Sequence, residues 1–464
     1  MSTPTSKPAP VLLYESAVKI YPRRAKGRFA NLRVLSMLGL LGLYYGLPWL
    51  SWGGHPLVLF DLPHRRFHVL GLTLVPQDLL LLALLLLLAA LTLFFFTSLA
   101  GRLWCGYACP QTVWTEAFLW IEQACEGDRY QRLRLDRGPW TAEKIARKGA
   151  KHLLWATFGL YTGLTFVAYF IPARELFPAA YALELGGWAT FWVLFYGFAT
   201  WGNAGFMREQ VCKYMCPYAR FQSAMFDRDT LIIAYDETRG EPRKGVAKAQ
   251  KREAGDCIDC SLCVQVCPTG IDIRQGLQYD CIACAACVDA CDSVMDAVHK
   301  PRGLIRYTSS NRDAGGRFRL LRPRTFGYGL VWLAACTGFG LLLLNHAPMR
   351  FDVLRDRHSL YRELASGAIE NVYLLKVTND DDVARRYRVQ ARFANGTPLT
   401  VTPAVIDVAA SLTSGTTVAL RTPPAYAQDA QRPMAEHVLF ELVRDDDPAL
   451  VARRNARFLT GGVR

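Results

Sequence analysis

Five stretches of this 464-residue chain hold no Asp, Glu, Lys or Arg over about 20 residues each, the length a helix needs to cross roughly 30 Å of hydrocarbon. They are Val34–Trp52, Leu79–Ala100, Leu153–Pro172, Gly186–Phe206 and Phe326–His346. The second contains LLLLALLLLLAALTLFFF, which leaves no polar face for water. A large soluble protein could bury one such helix. Five of them predict a polytopic α-helical membrane protein of about five spans. No small-x-small cleavage site follows the first stretch, so it reads as a retained span and not as a signal peptide.

The cations set the orientation. Segment 1–33 holds seven Lys and Arg, 53–76 two, 101–152 nine, 173–185 only Arg174, and 207–325 nineteen. The positive-inside rule places the N-terminus and the loops after spans two and four in the cytoplasm, and the tail after span five outside. The expected order is a cytoplasmic tail 1–33, spans one to four within 34–206, a cytoplasmic region 207–325, a fifth span 326–346 and an external domain 347–464. A net charge of +14 then reflects topology and contact with membrane lipid, and nucleic acid is not an expected partner.

Eight of the fourteen cysteines lie between Cys257 and Cys291. They form two copies of one pattern, Cys257-x2-Cys260-x2-Cys263-x3-Cys267-Pro268 and Cys281-x2-Cys284-x2-Cys287-x3-Cys291. This is the run of bacterial ferredoxins, in which three close thiolates hold a cubane and the fourth cysteine serves the other cluster. It predicts one [4Fe–4S] cluster on Cys257, Cys260, Cys263 and Cys291, and a second on Cys281, Cys284, Cys287 and Cys267. Zinc sites use separated pairs, and a reducing cytoplasm disfavours disulfides. Asp292 stands where a proline usually follows the fourth cysteine; its charge should lower the reduction potential of the cluster beside it. A two-cluster ferredoxin domain over about residues 250–302 is the expectation.

Two further pairs repeat a C-x3-C-P motif after spans two and four: Cys105 and Cys109 before Pro110, and Cys212 and Cys216 before Pro217. Residues four apart share a helix face, and the proline should end the helix near the second cysteine. If spans two and four pack together, four thiols face one another near the membrane surface. Such a soft quartet suits Cu(I), zinc or an iron–sulfur cluster. Cys125 and Cys336 have no such partner and read as structural.

RLWCGYACPQTVWTEAFLWIE, KYMCPYARFQSAMFDRDTLI, the paired ferredoxin runs and PRGLIRY together resemble the CcoG/FixG/RdxA family of cytochrome oxidase accessory proteins. The resemblance runs from about Tyr21 to the C-terminus, and the Asp after the last cysteine is usual in that family. It implies reduction of Cu(II) to Cu(I) during maturation of a cbb3-type oxidase in a bacterial inner membrane. It implies the eight cluster ligands named above and copper as substrate at Cys105, Cys109, Cys212 and Cys216. Oxidase subunits or copper chaperones and transporters are its implied partners. A homo-oligomer remains open, and no nucleotide-binding glycine loop identifies the electron donor.

The tail is β-rich, with VYLLKVT, RRYRVQARF, TTVALR and HVLFELV between turn residues, which suits a sandwich of about seven strands. The resemblance makes it a periplasmic immunoglobulin-like domain. His55, His64 and His68 in the first external loop, with His346 and Met349 after span five, could bind external copper, although four-residue spacing is weak evidence and polar interfacial residues are the plainer reading. A haem between His152 and His346 has little support, since the topology separates them. Two other functions remain open: a quinol-oxidising electron-transfer subunit, and a non-catalytic assembly scaffold or redox sensor.

Overall fold

The computed structural model describes residues 19–461 except 53, 76–77, 251–252, 318, 320–321, 345–348, 357–359, 380–382, 410–411 and 428–432. The chain divides into two compact units, Met1–Phe339 and Gly340–Arg464.

The first unit contains α1 (Arg28–Gly46), α2 (Leu79–Ala100), α3 (Leu103–Tyr107), α4 (Pro110–Glu126), α5 (Arg129–Arg137), α6 (Ala142–Val167), α7 (Ala173–Tyr181), α8 (Gly187–Thr200) and α9 (Pro217–Met225). Among the described residues three helical stretches are long and apolar enough to cross a membrane: Arg28–Trp49, Leu79–Ala100 and Pro323–Leu344. They coincide with the first, second and fifth uncharged stretches. The other two fold less simply. Leu153–Pro172 falls largely on α6, whose first turns carry Lys144, Arg147, Lys148 and Lys151. Gly186–Phe206 divides into α8 and a π-helix, Trp201–Met207.

α8 packs along α6, while α2 meets α3 and α9, so the condition set for the thiol quartet, packing of the second stretch on the fourth, is not how these helices pair. The reason is small residues. A Cβ on Gly163 would stand 2.3 Å from the Val193 carbonyl oxygen and 2.7 Å from the Gly197 nitrogen. Backbones can come this close only without side chains between them, and such contacts drive helix association where lipid offers no hydrophobic contrast. Between α1 and α2 the chain forms five short strands, β1 (Ser51–Trp52), β2 (His55–Pro56), β3 (Val58–Asp61), β4 (Arg66–Val69) and β5 (Leu72–Leu74), all paired antiparallel.

The cysteine-rich region is closed by an antiparallel pair, β6 (Ile232–Tyr235) and β7 (Ile305–Thr308). Between them lie α10 (Glu237–Gly240), α11 (Lys244–Gln250), α12 (Leu262–Gln265) and α13 (Ala286–Ala297); α14 (Ser310–Asp313) and α15 (Pro323–Leu344) follow. Ile233, Tyr235, Met295, Leu304 and Ile305 form a core with Cys257 and Cys263. Asp289 of α13 joins this domain to α1: its carboxylate accepts from the Phe29 N–H at 3.1 Å and the Ala30 N–H at 2.6 Å. A negative charge at a helix N-terminus satisfies free N–H groups and complements the dipole. α15 packs on α2, where the Trp332 indole donates to Thr92 Oγ1 at 2.9 Å and stacks on Phe95.

The second unit is all antiparallel: β8 (Met349–Arg355), β9 (Arg362–Glu363), β10 (Ile369–Asn379), β11 (Arg385–Phe393), β12 (Pro398–Thr402), β13 (Val405–Val408), β14 (Thr413–Arg421), β15 (Ala435–Arg444) and β16 (Val451–Leu459). The four β-rich runs read from sequence lie within β10, β11, β14 and β15. The strand total among the described residues exceeds the expected seven because β9 and β13 are short pieces added to β10 and β11. Alternate residues point inward, so Tyr373, Leu375 and Val377 of β10 meet Val438, Phe440 and Leu442 of β15 in one core.

Candidate iron–sulfur and thiol centre

The two ferredoxin runs fold alike. Asp259 and Ser261 have φ of 59° and 55°, and their counterparts Ala283 and Ala285 have φ of 53° and 57°. Each run therefore alternates between left-handed and ordinary backbone as it passes its cysteines. This alternation turns successive N–H groups toward one point and makes the concavity that receives anionic clusters. The Ala283 N–H donates to Cys281 Sγ at 3.4 Å. No sequence signal marks these positions, because none of the four residues is glycine.

Two cavities result. Cys257, Cys260, Cys263 and Cys291 line one, with Tyr235, Leu262 and Met295 around them. Cys267, Cys281, Cys284 and Cys287 line the other, which Cys263 also touches. Each cavity thus draws three cysteines from one run and the distant cysteine of the other run. Burial pushes the free thiols up, Cys263 to about 11 and Cys281 and Cys291 to about 12, and raises Cys284 and Cys287 as well. Neighbouring sulfurs add to the rise in each case. Four thiolates so placed need a strongly cationic partner, and an iron core supplies one; the donor set fits [4Fe–4S] clusters. Asp292 lies beside Cys291, where its charge raises the thiol further, and its Oδ1 accepts from the Gly303 N–H at 2.9 Å.

The C-x3-C-P motifs depart from the single helix end expected. Cys105 sits in α3, and Cys109 is extended, with φ −62° and ψ 129°, as the residue before α4. Cys212 lies in a π-helix, Val211–Met215, and Cys216 is the extended residue before α9. In both motifs the proline opens the next helix at its first position, where the missing N–H costs nothing. All four sulfurs are half-buried. Burial, then Cys109, pushes the Cys105 thiol up to about 11, although Arg102 and a hydrogen bond to Gln222 Oε1 at 3.3 Å oppose the rise. Burial pushes Cys212 up to about 12, with further contributions from Cys109, Cys105 and Cys216. The four thiols therefore lie within electrostatic reach of one another.

This quartet adjoins the second cavity. A Cβ on Gly106 would stand 2.9 Å from both the nitrogen and the Cα of Cys284. Cys105 packs against the apolar cluster that contains Ile282 and Cys284, and a further cavity is lined by both Cys212 and Cys284. Arg102 donates to the carbonyls of Tyr279 and Ala219, which ties the two cysteine systems together. Arg33 Nη1 donates to the Cys284 carbonyl at 3.2 Å, and Lys213 pairs with Asp280 at 3.3 Å. Cys260, in the other ligand set, is exposed.

Residues 207–310 match the description "4Fe-4S dicluster domain", residues 82–124 "4Fe-4S binding domain", and residues 339–461 "IG-like fold at C-terminal of FixG, putative oxidoreductase". Nitrogen fixation protein FixG of Rhizobium meliloti (strain 1021) is 42% identical over 409 residues, 79% of this chain and 78% of that protein. The chain belongs to the FixG/RdxA family. Two other members in Cereibacter sphaeroides, Protein RdxA and Protein RdxB, are 39% and 40% identical, each over 81% of this chain and 83% and 82% of their own length. The crystal structure of a FixG-related protein from Vibrio parahaemolyticus aligns 97% of its length with 25% of this chain, at 21% identity and a TM-score of 0.21. This FixG/RdxA member is thus an iron–sulfur electron-transfer protein with membrane helices and an immunoglobulin-like C-terminal domain.

The histidines of the first loop divide. The rings of His55 and His68 stack at 4.6 Å, and His68 Nδ1 lies 3.1 Å from Thr73 Oγ1. His64 is exposed and paired with Asp61 at 2.8 Å. His346 lies outside the described residues, while Met349 is buried at the start of β8. Cys125 and Cys336 are half-buried on α4 and α15.

Proposed function

We propose that this chain reduces Cu(II) to Cu(I) at Cys105, Cys109, Cys212 and Cys216 during assembly of a cbb3-type oxidase, with four spans before a cytoplasmic ferredoxin domain and a fifth leading to a periplasmic C-terminal domain. The carrying observation is the direct packing of the Cys105–Gly106 backbone on Ile282 and Cys284. When bound, [4Fe–4S] clusters supply one-electron storage at a potential set by the charge, hydrogen bonds and exposure around them. The thiol quartet favours the soft monovalent copper ion over the divalent one, which makes reduction of a bound Cu(II) easier. Arg102 offsets charge on the sulfurs as the ion leaves, and the half-buried site limits access of water.

The test is to reduce the anaerobically purified full chain and mix it with Cu(II). The parent protein should produce Cu(I) as cluster colour returns. A variant with all four cysteines replaced by Ser should keep its iron and sulfide yet lose copper reduction; full activity in that variant rejects the reading. The match of residues 82–124 to a 4Fe-4S binding description favours a second reading, in which the quartet holds a third cluster. About twelve irons per chain instead of about eight would select it.

A further inference from the structure

The first unit holds another cavity that the reading above does not use. It has a volume of about 360 Å³, within the range of small-ligand sites, and lies where the cationic turns of α6 give way to its apolar part. One wall is aromatic. Trp155 and Phe206 line it, and the His152 ring stacks on Phe206 at 5.7 Å and 12°. The other wall is polar and includes Glu122, Lys151 and Arg208.

Glu122 is fully buried. Its Oε2 accepts from Arg208 Nη2 at 2.7 Å and lies 3.5 Å from Arg132 Nη1, while its Oε1 accepts no hydrogen bond among the described residues and stands 3.9 Å from the Lys19 ammonium. His152 Nδ1 is also buried without a hydrogen-bond partner among them. Burial and Lys151 hold the imidazole below its ordinary pKa, so at neutral pH the ring is uncharged, and its tautomer with the proton on Nε2 accepts at Nδ1. Two unpaired buried acceptors are costly unless a ligand donates to them.

The surrounding backbone is unusual as well. Gly205 and Phe206 belong to the π-helix Trp201–Met207, a rare form that is frequent at functional sites. It ends at Arg208, which has φ 40° and ψ −111° and is held by its bond to Glu122 and by Nε donating to the Gly205 carbonyl at 2.9 Å. Arg208 and Glu209 also line the cavity that contains Cys212 and Cys284. The two cavities are therefore neighbours.

A ligand that fits presents a flat ring to the aromatic side chains and donates two hydrogen bonds, and the cavity's place at the start of the apolar part of α6 suits one dissolved in the membrane. We propose that this cavity binds a membrane quinol and that the chain draws its electrons from it. The inference rests on the electron-transfer reading and supplies its donor. On oxidation the quinol's two O–H bonds break and the ring becomes a quinone. One proton passes to His152 Nδ1; the other is taken up at Glu122 Oε1 and moves on to solvent, since, despite its burial, Arg208 and Arg132 hold that carboxyl in its ionised form. The two electrons leave singly to two one-electron acceptors, a number that the two cluster sites match.

The test uses the full chain, purified without oxygen and placed in lipid nanodiscs, with a short-chain ubiquinol as probe. The quinol should bleach cluster absorbance within a single turnover. The matching quinone should quench tryptophan fluorescence in cluster-free protein, a binding readout independent of activity. His152→Phe and Glu122→Gln should each lose tenfold or more of the quinol-driven rate and weaken quinone quenching. Dithionite should still bleach both variants, and their iron content should be unchanged. His152→Phe alone carries the test where Glu122→Gln fails to accumulate. No quinol-driven bleaching in a parent protein that dithionite reduces would overturn the proposal. So would a His152→Phe protein with parental rate and binding, or a phospholipid that occupies the cavity and resists displacement by quinone. Failure of copper reduction would appear separately, because dithionite-reduced protein mixed with Cu(II) needs no quinol.

Discussion

Gly106 lies against Cys284 with no room for a side chain, since an added Cβ would meet the Ile282 carbonyl oxygen at 2.7 Å and the Cys284 nitrogen at 2.9 Å. The contact joins the middle of one C-x3-C-P motif to a predicted cluster ligand. Gly106→Ala should force these backbones apart, with a destabilisation of about 1–3 kcal/mol. Single-turnover transfer from reduced clusters to bound Cu(II) should slow tenfold or more, while iron content stays near parental. Transfer at the parental rate would show that this apposition is not the route.

Gly163 sets the approach of α6 to α8, with a Cβ position 2.3 Å from the Val193 carbonyl oxygen. Gly163→Val should lower the melting temperature of the detergent-solubilised protein, again by overpacking worth about 1–3 kcal/mol. Gly149 on the same helix has open space around its Cβ position, so Gly149→Ala should leave stability unchanged or raise it slightly. Equal effects at the two positions would refute the role given to close packing.

Asp292 places a negative charge beside Cys291 while its Oδ1 accepts from the Gly303 N–H. Asp292→Asn keeps an acceptor there and removes the charge. The potential of the adjacent cluster should rise; an interaction of about 1 kcal/mol corresponds to roughly 40 mV for one electron. Potentiometric titration followed by electron paramagnetic resonance reads the shift. A potential that stays level or falls would remove Asp292 as an electrostatic determinant.

Asp136 fastens the N-terminal segment. Burial alone would raise its carboxyl pKa, but hydrogen bonds from Lys148, Lys19 and Tyr21 hold it well below the usual carboxylate range. A depressed folded-state pKa gives stability that is complete above the unfolded value of about 3.9 and disappears as pH falls toward the folded one. Amide protection in residues 19–24 should therefore weaken below about pH 4. Asp136→Asn should weaken it already at pH 7, and full protection in that variant would contradict the assignment.

Much of this architecture could be read from local patterns. The uncharged stretches 34–52, 79–100 and 326–346 correspond to α1, α2 and α15, because a residue's transfer to lipid depends mainly on its own side chain. The runs in the tail correspond to β10, β11, β14 and β15 through their β-branched and aromatic residues. Other features were not legible. A proline was read as a helix end at Cys109 and Cys216, whereas it also begins the next helix. The left-handed residues Asp259, Ser261, Ala283 and Ala285 carry no compositional mark. Glu122 and His152 stand in unremarkable amphipathic sequence, and it is the packing of α4, α6 and the π-helix that brings them to one cavity.

Cysteine spacing, charge-free length and strand alternation were determined by the sequence alone, since each expresses geometry repeated within a few residues of the chain. Tertiary structure decided which thiols share a cavity, that α8 lies on α6 and not on α2, and that Glu122 and His152 meet beside Arg208. Those outcomes depend on backbones approaching between residues distant in the chain, where missing side chains at Gly106, Gly159 and Gly163 and the burial of paired charges select among packings that local pattern leaves equal.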